Sequence, residues 1–197
     1  LMRHFYTLLA TVVAFVMVGC SPSTTEPTAT YLNPILGGDY PDPTIMREGE
    51  DYYMTHSAFD YQPGLTVFHS KDLVNWTLVN YALKNIPAPD YERPRHADGV
   101  WAPAIRWHNG YFHIFYGMPD EGIYMVRTAD PVGEGEEPVL VLPGKGLIDP
   151  CPFWDEDGMA YLVHSIHRGG PAILHRMSDD GLRLLDNGVV VYHDEKA

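Results

Sequence analysis

Two aspartates in this sequence share one local pattern, since Asp42 is followed by Pro43 and Asp149 by Pro150. A single Asp-Pro pair is most often part of a turn. Two carboxylates that share a pocket interact, and their pKa values move apart. Glycoside hydrolysis uses such pairs, and an inverting enzyme places its acid and base roughly 6.5 to 9.5 Å apart. The chemistry therefore depends on whether the fold brings these two aspartates together.

Short runs of alternating apolar and polar residues recur between turn signals from residue 31 onward, and no stretch has sustained helical periodicity. These runs are Asp51 to Ser57, Leu65 to His69, Tyr111 to Tyr116, Ile123 to Arg127, Met159 to His164 and Ala172 to Arg176. The sequence therefore predicts an all-β fold.

Three units of the chain repeat one plan. Each opens with a proline and reaches a turn about eight residues later; the opening prolines are Pro43, Pro103 and Pro150. At nearly constant spacing after that proline comes a hydroxyl residue followed two positions later by an aspartate: Ser70 and Asp72, Thr128 and Asp130, Ser178 and Asp180. Constant units joined by loops of variable length are typical of β-propeller blades. A β-sandwich whose turns imitate a repeat is the alternative.

The opening proline suits the first strand of a blade, because its missing N–H breaks no ladder there. The first strand of each blade lies nearest the propeller axis. The residues before the three prolines, Asp42, Ala102 and Asp149, are therefore expected to converge on the axis. We expect the later aspartates Asp72, Asp130 and Asp180 to cap turns instead.

Three motifs resemble those of glycoside hydrolase family 43. They are Asn33 to Pro43, Gly99 to Pro103, and Ile148 to Pro150 followed by Trp154 to Gly158. The resemblance implies a five-bladed β-propeller of which this chain supplies about the first three blades. It also implies a β-xylosidase or α-L-arabinofuranosidase type of activity on xylose- or arabinose-containing oligosaccharides and polysaccharides.

The same resemblance assigns catalytic roles. It implies that Asp42 is the general base and that Asp149 raises the pKa of the general acid and orients it. The acid in this family is a Glu within Glu-Gly-Pro, and that tripeptide does not occur here. Glu195 is interpreted as a solvated charge near the C-terminus. We therefore expect the general acid to lie beyond the last residue, and the chain to be an inactive, poorly soluble fragment of a longer enzyme.

Aromatic side chains are expected beside the carboxylates, because sugar rings present apolar C–H faces. Trp101 precedes the axial position of the second unit, where family members place a Trp, and Phe59 follows the second strand of the first unit. Both are predicted to bind substrate. For each of them, ordinary packing in a β-core is the alternative.

The N-terminal sequence resembles an export signal. Residues 1–20 contain a basic start and an apolar run that ends in Gly19-Cys20, which resembles a lipoprotein signal peptide with Cys20 as the lipid attachment site. Residues 21–30 are predicted to be a flexible tether and residues 31–197 the truncated propeller domain. An ordinary signal peptide is the alternative. We expect an extracytoplasmic protein, lipid-anchored at the bacterial cell envelope or in the periplasm.

Composition restricts the partners. Acidic residues outnumber basic ones by 26 to 13, so that nucleic acid is not expected to bind. No metal-binding spacing of His and Cys is present, and no cofactor is predicted, although the resemblance allows calcium at the axis of the complete enzyme. His164 and His167 fall on opposite faces of a predicted strand, so a structural or substrate-facing role is favoured over a ligand pair.

Three rival functions remain open at this level. A carbohydrate-binding propeller lipoprotein without catalysis requires the aromatic residues but gives no reason for the carboxylates at Asp42 and Asp149. A fructan-type hydrolase has different motifs around its acids. A purely structural propeller also leaves the two axial acids unexplained.

Overall fold

The computed structural model describes residues 30–89 and 91–194 of the chain. The chain divides into two compact units, Leu1–Tyr31 and Leu32–Ala197, and the fold below is that of the second. Among the described residues, no helix is long and apolar enough to span a membrane.

The described residues form twelve strands in three sheets, each with its strands in chain order. Blade 1 contains β1 (Thr44–Glu48), β2 (Asp51–Thr55), β3 (Gly64–Ser70) and β4 (Thr77–Leu83). Blade 2 contains β5 (Ala104–His108), β6 (Tyr111–Met118), β7 (Gly122–Thr128) and β8 (Val139–Pro143). Blade 3 contains β9 (Leu147–Trp154), β10 (Ala160–Ile166), β11 (Ala172–Met177) and β12 (Val189–Tyr192). All neighbouring strands are antiparallel, so the prediction of an all-β fold with three propeller blades is confirmed.

Local sequence explains the hairpins. Asn109 and Gly110 join β5 to β6, and both have positive φ, at 50° and 85°. A two-residue loop of this kind matches the twist of the flanking strands, and Asn-Gly is the pair that tolerates it best. The register of the hairpin follows, with His108 opposite Tyr111.

The three repeated hydroxyl and aspartate pairs lie at the turns between third and fourth strands. Asp72 accepts the backbone N–H groups of Val74 and Asn75, and these bonds hold the pKa of its carboxyl well below its usual range. Asp130 and Asp180 accept one backbone N–H each in the equivalent turns. The capping role predicted for these aspartates is confirmed.

Two hydrophobic cores lie on the two sides of blade 2. The first joins it to blade 1 and contains Leu65 and Tyr116, and the second joins it to blade 3 and contains Phe115 and Leu162. Each of these four side chains is fully buried. Removing a buried side chain of this size costs about 2 to 5 kcal/mol of stability. The cores therefore fix how the three blades stack.

The inner strands follow one another around the axis, because β1 packs against β5 and β5 against β9. Pro43 and Pro103 come directly before β1 and β5, as predicted. Pro150 instead lies inside β9, where the pairing with β10 is irregular, so the prediction that a proline begins the first strand is wrong for blade 3.

Candidate active site

Asp42 and Asp149 have the same unusual backbone conformation. Their φ angles are 53° and 55°, in the left-handed region that non-glycine residues seldom adopt, and each is followed by a proline. Such a conformation costs on the order of 1–3 kcal/mol and persists where the surrounding structure enforces it. The fold thus holds the two aspartates in matched backbone conformations, directly before β1 in blade 1 and near the start of β9 in blade 3.

The two carboxyl groups interact electrostatically. Desolvation by the surrounding protein raises the pKa of Asp149, the negative charge of Asp42 raises it further, and His167 acts in the opposite direction. The surface of Asp149 as a whole is exposed, so its carboxyl group remains accessible to a ligand. A carboxyl whose proton is held more tightly beside a second carboxylate is the pairing that acid–base catalysis uses.

The chain after β2 holds Asp42 in place. The hydroxyl of Ser57 donates a hydrogen bond of 2.6 Å to Oδ2 of Asp42, and the backbone N–H of Ser57 donates to the carbonyl of Pro41 at 3.0 Å. Ser57 is only 2% exposed. One buried residue therefore fixes both the backbone before Asp42 and the side chain of Asp42.

Phe59 and Trp101 are brought together by backbone pairing. Phe59 and Val100 exchange hydrogen bonds of 2.8 and 2.9 Å, which places Trp101 beside the Phe59 loop. Gly99 permits this approach, because a Cβ there would lie 2.3 Å from the Phe59 carbonyl oxygen. Neither aromatic belongs to the two hydrophobic cores of the described residues. This placement agrees with the prediction that they bind substrate, which stays a prediction.

A hydrogen bond from the indole N–H and a ring contact orient the Trp101 side chain. Its indole Nε1 donates to the carbonyl of Ala97 at 2.8 Å, and its ring meets His167 edge to face, with centroids 5.3 Å apart. His167 lies just after β10, is exposed, and acts electrostatically on Asp149. An aromatic ring and an imidazole therefore lie on the blade 3 side of the site.

Gly117 sets the distance between blade 2 and Asp149. Its carbonyl accepts the backbone N–H of Trp101 at 2.9 Å. A Cβ at this position would lie 3.1 Å from the carbonyl oxygen of Leu147 and 3.3 Å from Cα of Ile148. The absence of a side chain lets the strand that carries Asp149 pack directly on β6.

Sequence reasoning missed Ser57 and Gly117. Ser57 lies fifteen residues from Asp42, and nothing in its neighbourhood distinguishes it from other serines. His164 and His167 do not lie on opposite faces of one strand, because β10 ends at Ile166. His164 is 2% exposed and contacts His175 at 3.2 Å, whereas His167 lies after the strand and is exposed. Cys20 and Glu195 lie outside the described residues.

No group of three or more His, Cys, Asp or Glu side chains that could hold a metal ion occurs within residues 30–89 and 91–194. The sequence-based expectation of calcium concerned later blades. It therefore remains a prediction.

The chain is similar in sequence to known glycoside hydrolases. Residues 31–196 match the family model described as Glycosyl hydrolases family 43. A β-xylosidase of Formosa agariphila is 34% identical over 179 residues, which cover 83% of this chain and 30% of that protein. A non-reducing end α-L-arabinofuranosidase of Bacteroides ovatus is 37% identical over 147 residues, which cover 71% of this chain and 27% of that protein.

The fold of the chain is also similar to that of solved structures. The crystal structure of a xylan β-1,4-xylosidase from Bacillus halodurans matches with a TM-score of 0.72 and 30% identity, covering 82% of this chain and 34% of that one. The chain thus spans only about a third of the length of the proteins it matches.

Proposed function

The chain belongs to the glycosyl hydrolases of family 43, and we propose that the protein hydrolyses O-glycosidic bonds by an inverting mechanism with Asp42 as the general base. The observation that carries the proposal is the matched pair of left-handed Asp-Pro residues opening blades 1 and 3, with the charge of Asp42 acting on Asp149. Neither a purely structural propeller nor a binding module requires two strained acids at one end of the axis.

The proposed step uses one water molecule. The water oxygen bonds to the anomeric carbon while its proton passes to the Asp42 carboxylate, and the glycosidic oxygen leaves with a proton from the general acid. Asp149 keeps that acid protonated and oriented, because a nearby carboxylate disfavours loss of its proton. The acid is proposed to be a glutamate beyond residue 197.

The proposed substrates are oligosaccharides and polysaccharides that contain xylose or arabinose. The names of the relatives described above refer to such sugars. We propose that Trp101 and Phe59 supply the apolar surface that a sugar ring requires. We propose that Trp101 and His167 form one wall of the sugar site.

Replacement of the base tests the mechanism. In the full-length protein that contains this segment, Asp42→Asn is expected to lower kcat on aryl xylosides or arabinofuranosides by about 100- to 10,000-fold, the usual contribution of a general base. Sugar binding, measured by calorimetry, is expected to persist. Asp130→Asn is the matched control, since Asp130 also precedes a proline but caps a turn remote from the site. Unchanged hydrolysis in Asp42→Asn removes this residue from the mechanism.

The stereochemistry of the product tests inversion separately. Proton NMR of the first-formed sugar is expected to show the anomer opposite to that of the substrate, because water attacks from the face opposite the leaving group. A first product of retained configuration would contradict the inverting assignment.

Attachment to the cell envelope through Cys20 is a separate proposal that rests on the lipobox-like sequence. Labelling with a radioactive fatty acid is expected to mark the native protein and not Cys20→Ser, and an unlabelled native protein would overturn the anchor.

A further inference from the structure

Ser57 occupies an unusual place for a serine, because its side chain is buried yet bonded to an exposed carboxylate. Ser57 is 2% exposed, whereas Asp42 lies at the surface. The 2.6 Å bond joins the end of β2 to the residue that opens blade 1. Hydrogen bonds to an ionised acceptor are about twice as strong as those between neutral groups.

The residues around Ser57 restrict its movement. His56 contacts the Ser57 carbonyl through Nδ1 at 2.6 Å and is itself 7% exposed. The His56 ring packs edge to face on Tyr40, with centroids 5.1 Å apart, and Tyr40 packs in the same way on Phe68. The segment before Asp42 is therefore tied to the chain after β2 by one backbone hydrogen bond and one aromatic contact, and to β3 by a second aromatic contact.

These contacts account for the strained backbone at Asp42. A left-handed conformation in a non-glycine residue persists only when its surroundings enforce it. The Ser57 N–H fixes the carbonyl of Pro41 on one side of Asp42, and the Ser57 hydroxyl fixes the carboxylate. Ser57 therefore holds both the side-chain rotation and the backbone φ angle of Asp42.

We propose that Ser57 is the positioning residue of the catalytic base, holding Oδ2 of Asp42 so that Oδ1 receives the attacking water. This inference rests on the proposed function. Ser57 itself contacts neither substrate nor water in the proposed step. Its hydroxyl fixes the direction in which the Asp42 carboxyl group points.

The split between kcat and KM distinguishes positioning from a merely structural role. Ser57→Ala removes the hydroxyl that bonds Oδ2 of Asp42. Loss of this bond lets the Asp42 carboxyl group turn away from the direction of the attacking water. It is expected to lower kcat about tenfold or more, with KM little changed.

The experiment compares four variants of the full-length protein. Ser57→Thr keeps the hydroxyl and is expected to keep a near-native kcat. Ser57→Cys keeps the shape with a weak donor, and its kcat is expected to fall between those of the native protein and Ser57→Ala. Ser70→Ala is the matched control, since Ser70 is also 2% exposed and bonds Asp72 at a remote turn. Ser70→Ala is expected to leave kcat and KM unchanged.

Two outcomes separate the inference from the function on which it rests. If Asp42→Asn abolishes hydrolysis while Ser57→Ala and Ser57→Cys keep the native kcat, the positioning role is wrong and the proposed function stands. If Asp42→Asn remains active, both are wrong.

Discussion

The charge and backbone strain of the site are concentrated in single residues. Asp42 and Asp149 are both held in the left-handed region, and the charge of one disfavours ionisation of the other. Neither feature stabilises the fold. Residues selected for catalysis commonly lower stability in this way, so replacing one is expected to stabilise the protein.

The variant Asp149→Asn tests whether the negative charge of Asp149 lowers the stability of the fold. The pKa of Asp149 is raised in the folded state, so its contribution to stability is fully present below the unfolded pKa of about 3.9 and is lost as the pH rises through the folded value. Asparagine tolerates the left-handed conformation and carries no charge. The variant is expected to unfold at a higher temperature than the native protein at neutral pH, and this gain is expected to shrink toward pH 4.

Thermal unfolding followed by circular dichroism across that pH range measures the effect. Asp130→Asn serves as the control for replacing an aspartate that precedes a proline. A gain for Asp149→Asn that is equally large at acidic and neutral pH would point to relief of strain alone and contradict the electrostatic account.

At the scale of elements, the packing of β6 on β9 sets the position of Asp149. Gly117→Ala places a methyl group 3.1 Å from the Leu147 carbonyl oxygen, closer than ordinary van der Waals contact. We expect β9 to shift by a few tenths of an ångström. Overpacking of this kind costs about 1–3 kcal/mol of stability. Since small displacements of catalytic groups reduce rates severely, kcat of the full-length protein is expected to fall more than KM changes.

The control for this prediction is Gly37→Ala. Gly37 is exposed, and a Cβ there would meet no atom within 4 Å. Its kcat and unfolding temperature are expected to stay near the native values. Native kcat in Gly117→Ala would show that the close approach of the two strands does not position Asp149.

The strands differ in how far the sequence reveals them. The second and third strands of each blade alternate apolar and polar residues, and β2, β3, β6, β7, β10 and β11 were predicted from that pattern. The fourth strands β4, β8 and β12 were not predicted. Most residues of β8 and β12 are exposed, all four of them in β12, so no buried face imposes a period of two there. In β4 the burial of Leu83 does not continue as a regular alternation along the strand.

The residues of the site also differ in how far the sequence reveals them. Asp42 and Asp149 were found because their motifs repeat at the openings of blades. Ser57 was not found because its role depends on the path of the chain after β2, which a single sequence does not reveal. Gly117 was missed for the same reason, since its importance lies in what packs against it.

At the scale of the whole molecule, the three blades are unequally covered. Blade 2 is packed on both faces, whereas the face of blade 3 away from blade 2 presents apolar side chains. Alternation along the strands places Phe153, Tyr161, Val163, Leu174 and Val189 on this face. Phe153 is 54% and Val189 62% exposed. In a propeller such a face packs against a neighbouring blade.

This face makes a prediction for the 197-residue chain studied by itself. We expect it to self-associate, because apolar surface and the unpaired edge of β12 favour contact between copies. Phe153→Lys combined with Val189→Lys is expected to shift the chain toward monomer in analytical ultracentrifugation. Val132→Lys changes a residue of similar exposure, 60%, in the connection between β7 and β8, and is the control. Equal association in all three chains would show that the uncovered face of blade 3 does not drive it.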